Sequence, residues 1–144
     1  MSDKQLPWHS PLFYRDAHSV ASGRVSFIEH AGRRILLVDF SRADLDLLKA
    51  VAAECLHVMT QEPEMSVLSL VDVEGTSLST EGIKLGADLS ERVRPHVQRT
   101  AVNGVTGLRS FVLETIVETA RRPIKLFKDR PSALEWLIND HDSE

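Results

Sequence analysis

The chain of 144 residues has little of several features that mark common protein classes. It has one cysteine, Cys55, so it cannot form an internal disulfide, and a disulfide-stabilised secreted domain is excluded. No apolar run approaches the roughly 20 residues that a membrane-spanning helix needs. Residues 1–7 also lack the apolar core of a signal peptide. These absences predict a cytoplasmic protein without a transmembrane segment.

An excess of positive charge is missing as well. The chain has 17 basic and 21 acidic residues, for a net charge of −4, so nucleic acid is not an expected partner. Apolar residues make up 42% and charged residues 26%, which is typical of a folded globular protein and excludes a disordered chain. The length fits one domain.

Motifs for metal binding and catalysis are absent too. The six histidines include no pair four residues apart on one helix: His9, His18, His30, His57, His96 and His141. No Gly-x-Ser-x-Gly sequence surrounds the serines near predicted strand ends, which are Ser66, Ser69, Ser77 and Ser79. Cys55 falls on the apolar stripe of a predicted helix, which favours a core position over a reactive thiol. We therefore predict a protein that is not an enzyme and has no cofactor or metal.

Apolar periodicity, in contrast, is clear from residue 24 onward. The patterns predict strands over 24–29, 34–39, 67–71, 99–102 and 124–127, with a hairpin turn at 31–33. They predict four helices, over 43–59, from Ser79 or Thr80 to Pro95, over 108–121 and over 132–138. Ser41 with Asp44 is the signal for the start of the first of these helices. The order β-β-α-β-α-β-α-β-α predicts an α/β domain with a mostly parallel sheet and an antiparallel N-terminal hairpin.

The first 23 residues have a different character. Aromatic residues and prolines lie there among polar residues without periodicity: Pro7, Trp8, Pro11, Phe13 and Tyr14. We predict an aromatic arm over residues 1–23, ahead of a single domain over 24–144. Aromatic side chains favour burial, so we expect the arm to dock on its own domain or on a partner subunit; the alternative is a flexible tail.

Several short segments resemble the SpoIIAA-like family of the STAS superfamily. The resemblance covers about residues 24–139 and rests on Arg34–Asp39, Leu68–Asp72, Arg94–Val97, Ala101–Leu108 and Pro123–Phe127. It implies the same fold, in small domains known mostly from bacteria. It also implies a non-catalytic regulatory or binding module that acts through protein contacts. The alternative it implies is a SEC14-like domain for a lipid or another apolar ligand, with a cavity of several hundred Å³ under the helix that carries Leu85, Leu89 and Val93.

The resemblance also implies where a partner would bind. Related antagonists carry Asp-Ser-Ser-Gly at the start of the helix after the third strand, and their second serine is phosphorylated. This chain has Ser79-Thr80-Glu81-Gly82 there, with Glu81 at the serine position. Glu81 either mimics part of the phosphate charge or, as we favour, complements the helix dipole. Ser79 and Thr80 are the remaining candidate phosphate acceptors.

Two further features extend this candidate interaction site. Asp72 and Glu74 follow a predicted parallel strand, and α/β proteins place their functional sites at the carboxyl ends of such strands. The favoured interpretation is that both are solvated carboxylates in a turn. The alternative is a hydrolase that uses either carboxylate. The Gly104–Gly107 turn either packs tightly, as we favour, or binds an anion. The predicted interaction residues are Asp72, Glu74, Ser79, Thr80, Glu81, Gly82, Gly104 and Gly107.

Glycine spacing and charge distribution suggest further contacts. Gly82 and Gly86 lie one turn apart in a predicted helix, so either the sheet or another chain must approach that face closely, which favours a homodimer. Residues 92–130 hold nine basic and three acidic side chains, a net +6, and the rest of the chain therefore carries −10. A solvated surface is the favoured interpretation; the alternative is a basic face made of Arg92, Arg94, Arg99, Arg121, Arg122 and Lys125.

Overall fold

The computed structural model describes residues 20–76, 79–106, 113–114, 116–118, 120 and 123–139. Its five strands are β1 (Val25–His30), β2 (Arg33–Asp39), β3 (Val67–Asp72), β4 (Val97–Asn103) and β5 (Ile124–Leu126). Its helices include α1 (Leu45–Met59), α2 (Thr80–Val93) and α3 (Arg130–Ile138), with a 3₁₀ turn at Arg94–His96. Residues 113, 114 and 116–118 are also helical, within the helix predicted over 108–121; the rest of that prediction lies outside the described residues.

The strands form one sheet in the order β1-β2-β3-β4-β5. β1 and β2 are antiparallel, whereas the pairs from β2 to β5 are parallel. The hairpin turns through Ala31 and Gly32, whose φ angles are 52° and 80°, as a two-residue turn with both central residues at positive φ requires. The predicted mixed α/β fold is confirmed, and the described strand and helix ends lie within two residues of those predicted.

Helices cover the sheet on both faces because alternate strand residues are apolar on both sides. On the first face, strand residues such as Leu36, Val38 and Val67 pack with α1 and α2. On the second face, Ile35 and Leu70 pack with Ala133 and Leu137 of α3. Cys55 is buried in the first-face core, as its position on the apolar stripe predicted.

The helix starts show where the sequence prediction was wrong in detail. α1 is capped by Asp44, whose Oδ1 accepts a hydrogen bond from the Leu47 N–H at 3.0 Å, so the N-cap is Asp44 and not Ser41, and the helix begins at Leu45 instead of near Ala43. Ser41 lies in a turn, where its N–H donates to Asp39 Oδ1. α3 begins two residues earlier than predicted because Asp129 caps it by accepting from the Ser132 N–H at 2.8 Å. This hydrogen bond lowers the pKa of Asp129 below its usual value.

The N-terminal part of the chain is only partly described. Residues 1–19, which carry the aromatic residues of the predicted arm, lie outside the described residues, so the arm and the domain boundary at residue 23 stay predictions. Ala21 is fully buried in the core of the first face. Among the described residues, no helix combines the length and the apolar character that crossing a membrane requires.

Candidate functional site

Asp72 lies at the carboxyl end of β3, where it is held on two sides. Its Oδ1 accepts a hydrogen bond from the Glu74 N–H at 2.9 Å, and its Oδ2 forms an ion pair with Arg130 Nη2 at 3.1 Å. The residue is only 8% exposed. Asp72 therefore anchors the loop and α3 to the sheet and is not a surface member of the interaction site. Because its charge is paired with Arg130, this geometry does not support Asp72 as the base of a hydrolase.

The loop after β3, residues 73–76, is fixed by the loop after β2. The Arg42 N–H donates to the Glu74 carbonyl at 2.7 Å, and Thr76 Oγ1 donates to the Phe40 carbonyl at 2.7 Å. The Phe40 N–H in turn donates to the Asp72 carbonyl at 2.9 Å. These bonds make the loop a rigid support on which Glu74 is exposed to solvent.

Gly104 supports the same loop from the other side. Its φ angle is +87°, and a Cβ atom added there would lie 2.7 Å from Glu74 N and 2.9 Å from Glu74 Cα. Only a residue without a side chain fits both the backbone angle and the contact. Tight packing accounts for Gly104, in agreement with the favoured interpretation of this turn. Gly107 lies outside the described residues.

The first turn of α2 provides the other exposed part of the candidate site. Ser79 Oγ accepts a hydrogen bond from the Gly82 N–H at 3.0 Å and so caps the helix. Thr80 and Glu81 are exposed, with Glu81 in the first turn, where it complements the helix dipole. Three residues of chain lead from Thr76 to Ser79, a span of at most about 11 Å. The exposed residues Glu74, Gly75, Ser79, Thr80 and Glu81 are called the α2 surface below.

One of the six residues of the predicted basic face is buried. Arg99 is 6% exposed, and its guanidinium donates to the carbonyls of Leu137 and Asn139, at 2.9 and 3.0 Å from Nη2. Arg99 thus supplies hydrogen bonds to carbonyl groups at the C-terminus of α3. The prediction that it belongs to a basic face is wrong. A buried arginine in this role does not present its guanidinium to an external partner.

The other arginines of that prediction are paired where the structure describes them. Arg92 bonds Asp88 at 2.6 Å, and Arg94 bonds Glu91 at 2.8 Å. Lys125 Nζ lies 5.7 Å from the centre of the Phe127 ring. Arg121 and Arg122 lie outside the described residues. The carboxylates of Asp88 and Glu91 reduce the local positive charge around Arg92 and Arg94.

A cavity lies between the first face of the sheet and the helices that cover it. Its volume is about 140 Å³, and its lining is almost entirely apolar, including Val38, Leu48, Ala52, Val71, Leu85 and Leu89. Helical residues 113, 116 and 117 complete the wall. The cavity has the position that the SEC14-like alternative requires, but it is smaller than the several hundred Å³ expected.

One hydrogen-bonded pair of buried hydroxyl groups forms part of this mostly apolar wall. Ser69 in the middle of β3 and Thr100 in β4 hydrogen-bond to each other, with 2.8 Å between Oγ and Oγ1. Both residues line the cavity. The sequence pattern identifies Ser69 only as a candidate nucleophile near a strand end and does not identify Thr100. The available signal was Ser69 as a polar residue within the apolar segment 67–71; Thr100 had no such signal, because its strand also contains Gln98, Arg99 and Asn103.

Among the described residues, no group of three or more His, Cys, Asp or Glu side chains is placed to hold a metal ion. No family model matches the sequence. No curated protein matches it either.

A solved structure does resemble the chain. It is described as an anti-sigma-factor antagonist (STAS) domain protein from Planctomyces limnophilus, and the alignment covers 80% of this chain and 98% of that one. The TM-score is 0.57 at 18% sequence identity. The architecture of a parallel sheet with an antiparallel hairpin edge is thus shared over nearly the whole of that domain. The resemblance predicted from short segments is confirmed at the level of the fold, which is that of a STAS domain.

Proposed function

We propose that this protein is a cytoplasmic, non-catalytic regulatory module that binds a protein partner through the α2 surface. The observation that carries the proposal is the rigid support beneath that surface, where Asp72, Arg42 and Gly104 fix the loop that presents Glu74. A surface fixed before binding loses little conformational entropy on association. The similar solved structure, described as an anti-sigma-factor antagonist, also supports a function in protein contacts.

The charge of the α2 surface indicates the chemistry of the partner. Glu74 and Glu81 are exposed, and within the described part of the chain neither forms an ion pair. Two exposed carboxylates without an ion pair among the described residues favour a partner with lysine or arginine at the contact. Phosphorylation of Thr80 or Ser79 would add negative charge to the same surface and strengthen that preference.

Site-specific crosslinking tests this proposal. A photo-crosslinking amino acid at Glu81, introduced into the full chain in its native cells, should give a discrete adduct with one protein. The matched control is the same amino acid at Glu135, an exposed glutamate of α3, which packs on the opposite face of the sheet. The adduct should be absent there. Equal adducts at both positions, or none at residue 81, would contradict the proposal.

The captured partner then allows a charge test. Glu81→Arg should weaken binding at least tenfold, because it places a like charge opposite a basic surface. Its effect on the free energy of unfolding should stay within about 1 kcal/mol, the scale of a helix-dipole interaction. Unchanged affinity would leave Glu81 with a structural role only.

Self-association is a particular form of the proposed protein contact. The glycine spacing that suggested a homodimer has an explanation within the chain at Gly86, where an added Cβ would lie 3.5 Å from Ile116 Cδ1. Native mass spectrometry distinguishes the cases, because a dimer would appear directly. A monomer would restrict the proposal to a different protein as partner.

The second candidate function is binding of an apolar small ligand, and the cavity on the first face of the sheet favours it. Its apolar wall has the chemistry of a ligand pocket. Its volume of about 140 Å³ is below the ~300 Å³ at which pockets for drug-sized molecules begin, which argues against a whole lipid. Native mass spectrometry also tests this function, because a retained ligand adds mass to the protein.

A further inference from the structure

The hydroxyl pair in the cavity wall has one hydrogen-bond donor more than it uses. Ser69 Oγ and Thr100 Oγ1 each carry one O–H, and the bond between them consumes one of the two protons. Within the described part of the chain, this is the only side-chain hydrogen bond of either residue. One O–H donor is therefore left over, on residues that are 2% and 4% exposed.

The surroundings leave that donor little exposure to bulk solvent. Ser69 and Thr100 lie on adjacent strands as register partners, so both side chains project to the same face of the sheet. That face opens into the cavity, whose wall near them includes Val71 and Val102. A buried donor without an acceptor is destabilising, so a molecule in the cavity that offers one acceptor gains a bond that the protein itself does not supply.

The volume limits what that molecule can be. A cavity needs about 10–15 Å³ to hold one water molecule, and a cavity of about 150 Å³ engineered in another protein binds benzene. The present cavity of about 140 Å³ is similar in size, so it has room for a single aromatic ring or a short branched chain. Its apolar wall would leave a cluster of waters short of hydrogen-bond partners.

We propose that the cavity binds a small apolar molecule, about the size of a substituted benzene ring, with one hydrogen-bond acceptor directed at Ser69 and Thr100. This inference rests on the second proposed function and specifies its ligand class. The apolar wall supplies the affinity through burial, and the hydroxyl pair fixes the orientation and selects for an acceptor. Carbonyl, ether and phenol oxygens satisfy this requirement.

Two probes with equal numbers of non-hydrogen atoms test the proposal. Benzaldehyde has a carbonyl acceptor, whereas ethylbenzene has none. Titration of the full chain, followed by the NMR signals of the methyl groups of Ile83, Leu85 and Leu89, should show saturable binding of both. The variant with Ser69→Ala and Thr100→Val together should bind benzaldehyde about fivefold more weakly, the loss expected for one hydrogen bond. Its affinity for ethylbenzene should not fall.

A second variant tests the location. Ala52→Leu adds side-chain volume on α1 at a position that lines the cavity, and it should reduce the binding of both probes while the thermal transition stays cooperative. If the Ala52→Leu variant does not fold, the comparison of the two probes on the unaltered chain and on the double variant still tests whether the hydroxyl pair binds the acceptor.

The outcomes separate the inference from the function on which it rests. If the double variant binds benzaldehyde as tightly as the unaltered chain does, the assignment of the acceptor to the hydroxyl pair is overturned, while the cavity remains an apolar binding site. If neither probe shows saturable binding to the unaltered chain, both the ligand class and the second proposed function are wrong.

Discussion

Gly104 lies so close to the loop after β3 that an added side chain would collide with the backbone there. The 2.7 Å separation between an added Cβ and Glu74 N is shorter than any ordinary contact, and the φ of +87° is unfavourable for other residues. Gly104→Ala should therefore lower the free energy of unfolding by about 2–4 kcal/mol, from backbone strain and overpacking together. Chemical denaturation measures this change.

Gly32 provides the matched control for Gly104→Ala. It has a similar φ of +80°, but no atom lies within 4 Å of the position that its Cβ would take. Gly32→Ala should cost about 1–2 kcal/mol, because only the backbone conformation is affected. Equal costs at the two positions would show that the contact of Gly104 with the loop after β3 contributes nothing, and Gly104 would then not be part of the rigid support assigned to the α2 surface.

Individual residues also show why sequence reasoning succeeded or failed. The cap at Ser79 was predictable because a capping side chain bonds a backbone group three residues away. The role of Arg99 was not, because its acceptors at Leu137 and Asn139 are 38 and 40 residues away in sequence. The hydroxyl pair has the same difficulty, since its two members lie 31 residues apart. Local bonds leave a sequence pattern, whereas contacts between distant segments depend on the register of the sheet.

Helix α3 shows how one residue controls an element. The Ser132 N–H donates to the Asp129 carboxylate, which lowers the pKa of Asp129 below its usual value. A carboxyl group with a lowered folded-state pKa contributes stability that is present above its unfolded pKa and is lost as the pH falls through the folded value. Helix α3 should therefore lose the stabilising effect of this cap below about pH 4.

Asp129→Asn separates this effect from other acid-sensitive groups. Asparagine also caps helices but does not titrate, so the difference in unfolding free energy between the two proteins should be constant above about pH 5 and should shift in favour of the variant below about pH 4. Urea denaturation across this pH range measures the difference. A difference that does not change with pH would contradict the assigned ionisation.

Whole elements were easier to predict than their contacts with one another. The apolar stripe Leu85, Leu89 and Val93 is buried as its four-residue spacing predicted. The same spacing did not predict the cavity beside it, because a void arises from side chains of several elements that fail to fill the space between them. The strand and helix order, together with the family resemblance, predicted the position of the α2 surface. They did not predict that Asp72 is buried, because its burial depends on the contact with Arg130.

At the scale of the whole molecule, helix α2 connects the two candidate sites. Its first turn, with Thr80 and Glu81, forms part of the α2 surface, while Leu85 and Leu89 form part of the cavity wall. A ligand that fills the cavity would pack against the same helix that a partner contacts. The cost of this arrangement is a space under α2 that is not filled by the protein's own side chains.

Gly86 allows the balance between cavity and stability to be measured. An added Cβ would lie 3.5 Å from Ile116 Cδ1, an ordinary van der Waals distance, and alanine is favoured over glycine inside a helix. Gly86→Ala should raise the free energy of unfolding by about 0.5–1 kcal/mol and, because Gly86 lines the cavity, should weaken ethylbenzene binding. Denaturation and the methyl titration provide the two readouts. A more stable variant with unchanged ethylbenzene affinity would show that the ligand does not occupy the space beside α2, whereas a loss of both stability and affinity would show that the helix cannot accept even one methyl group there.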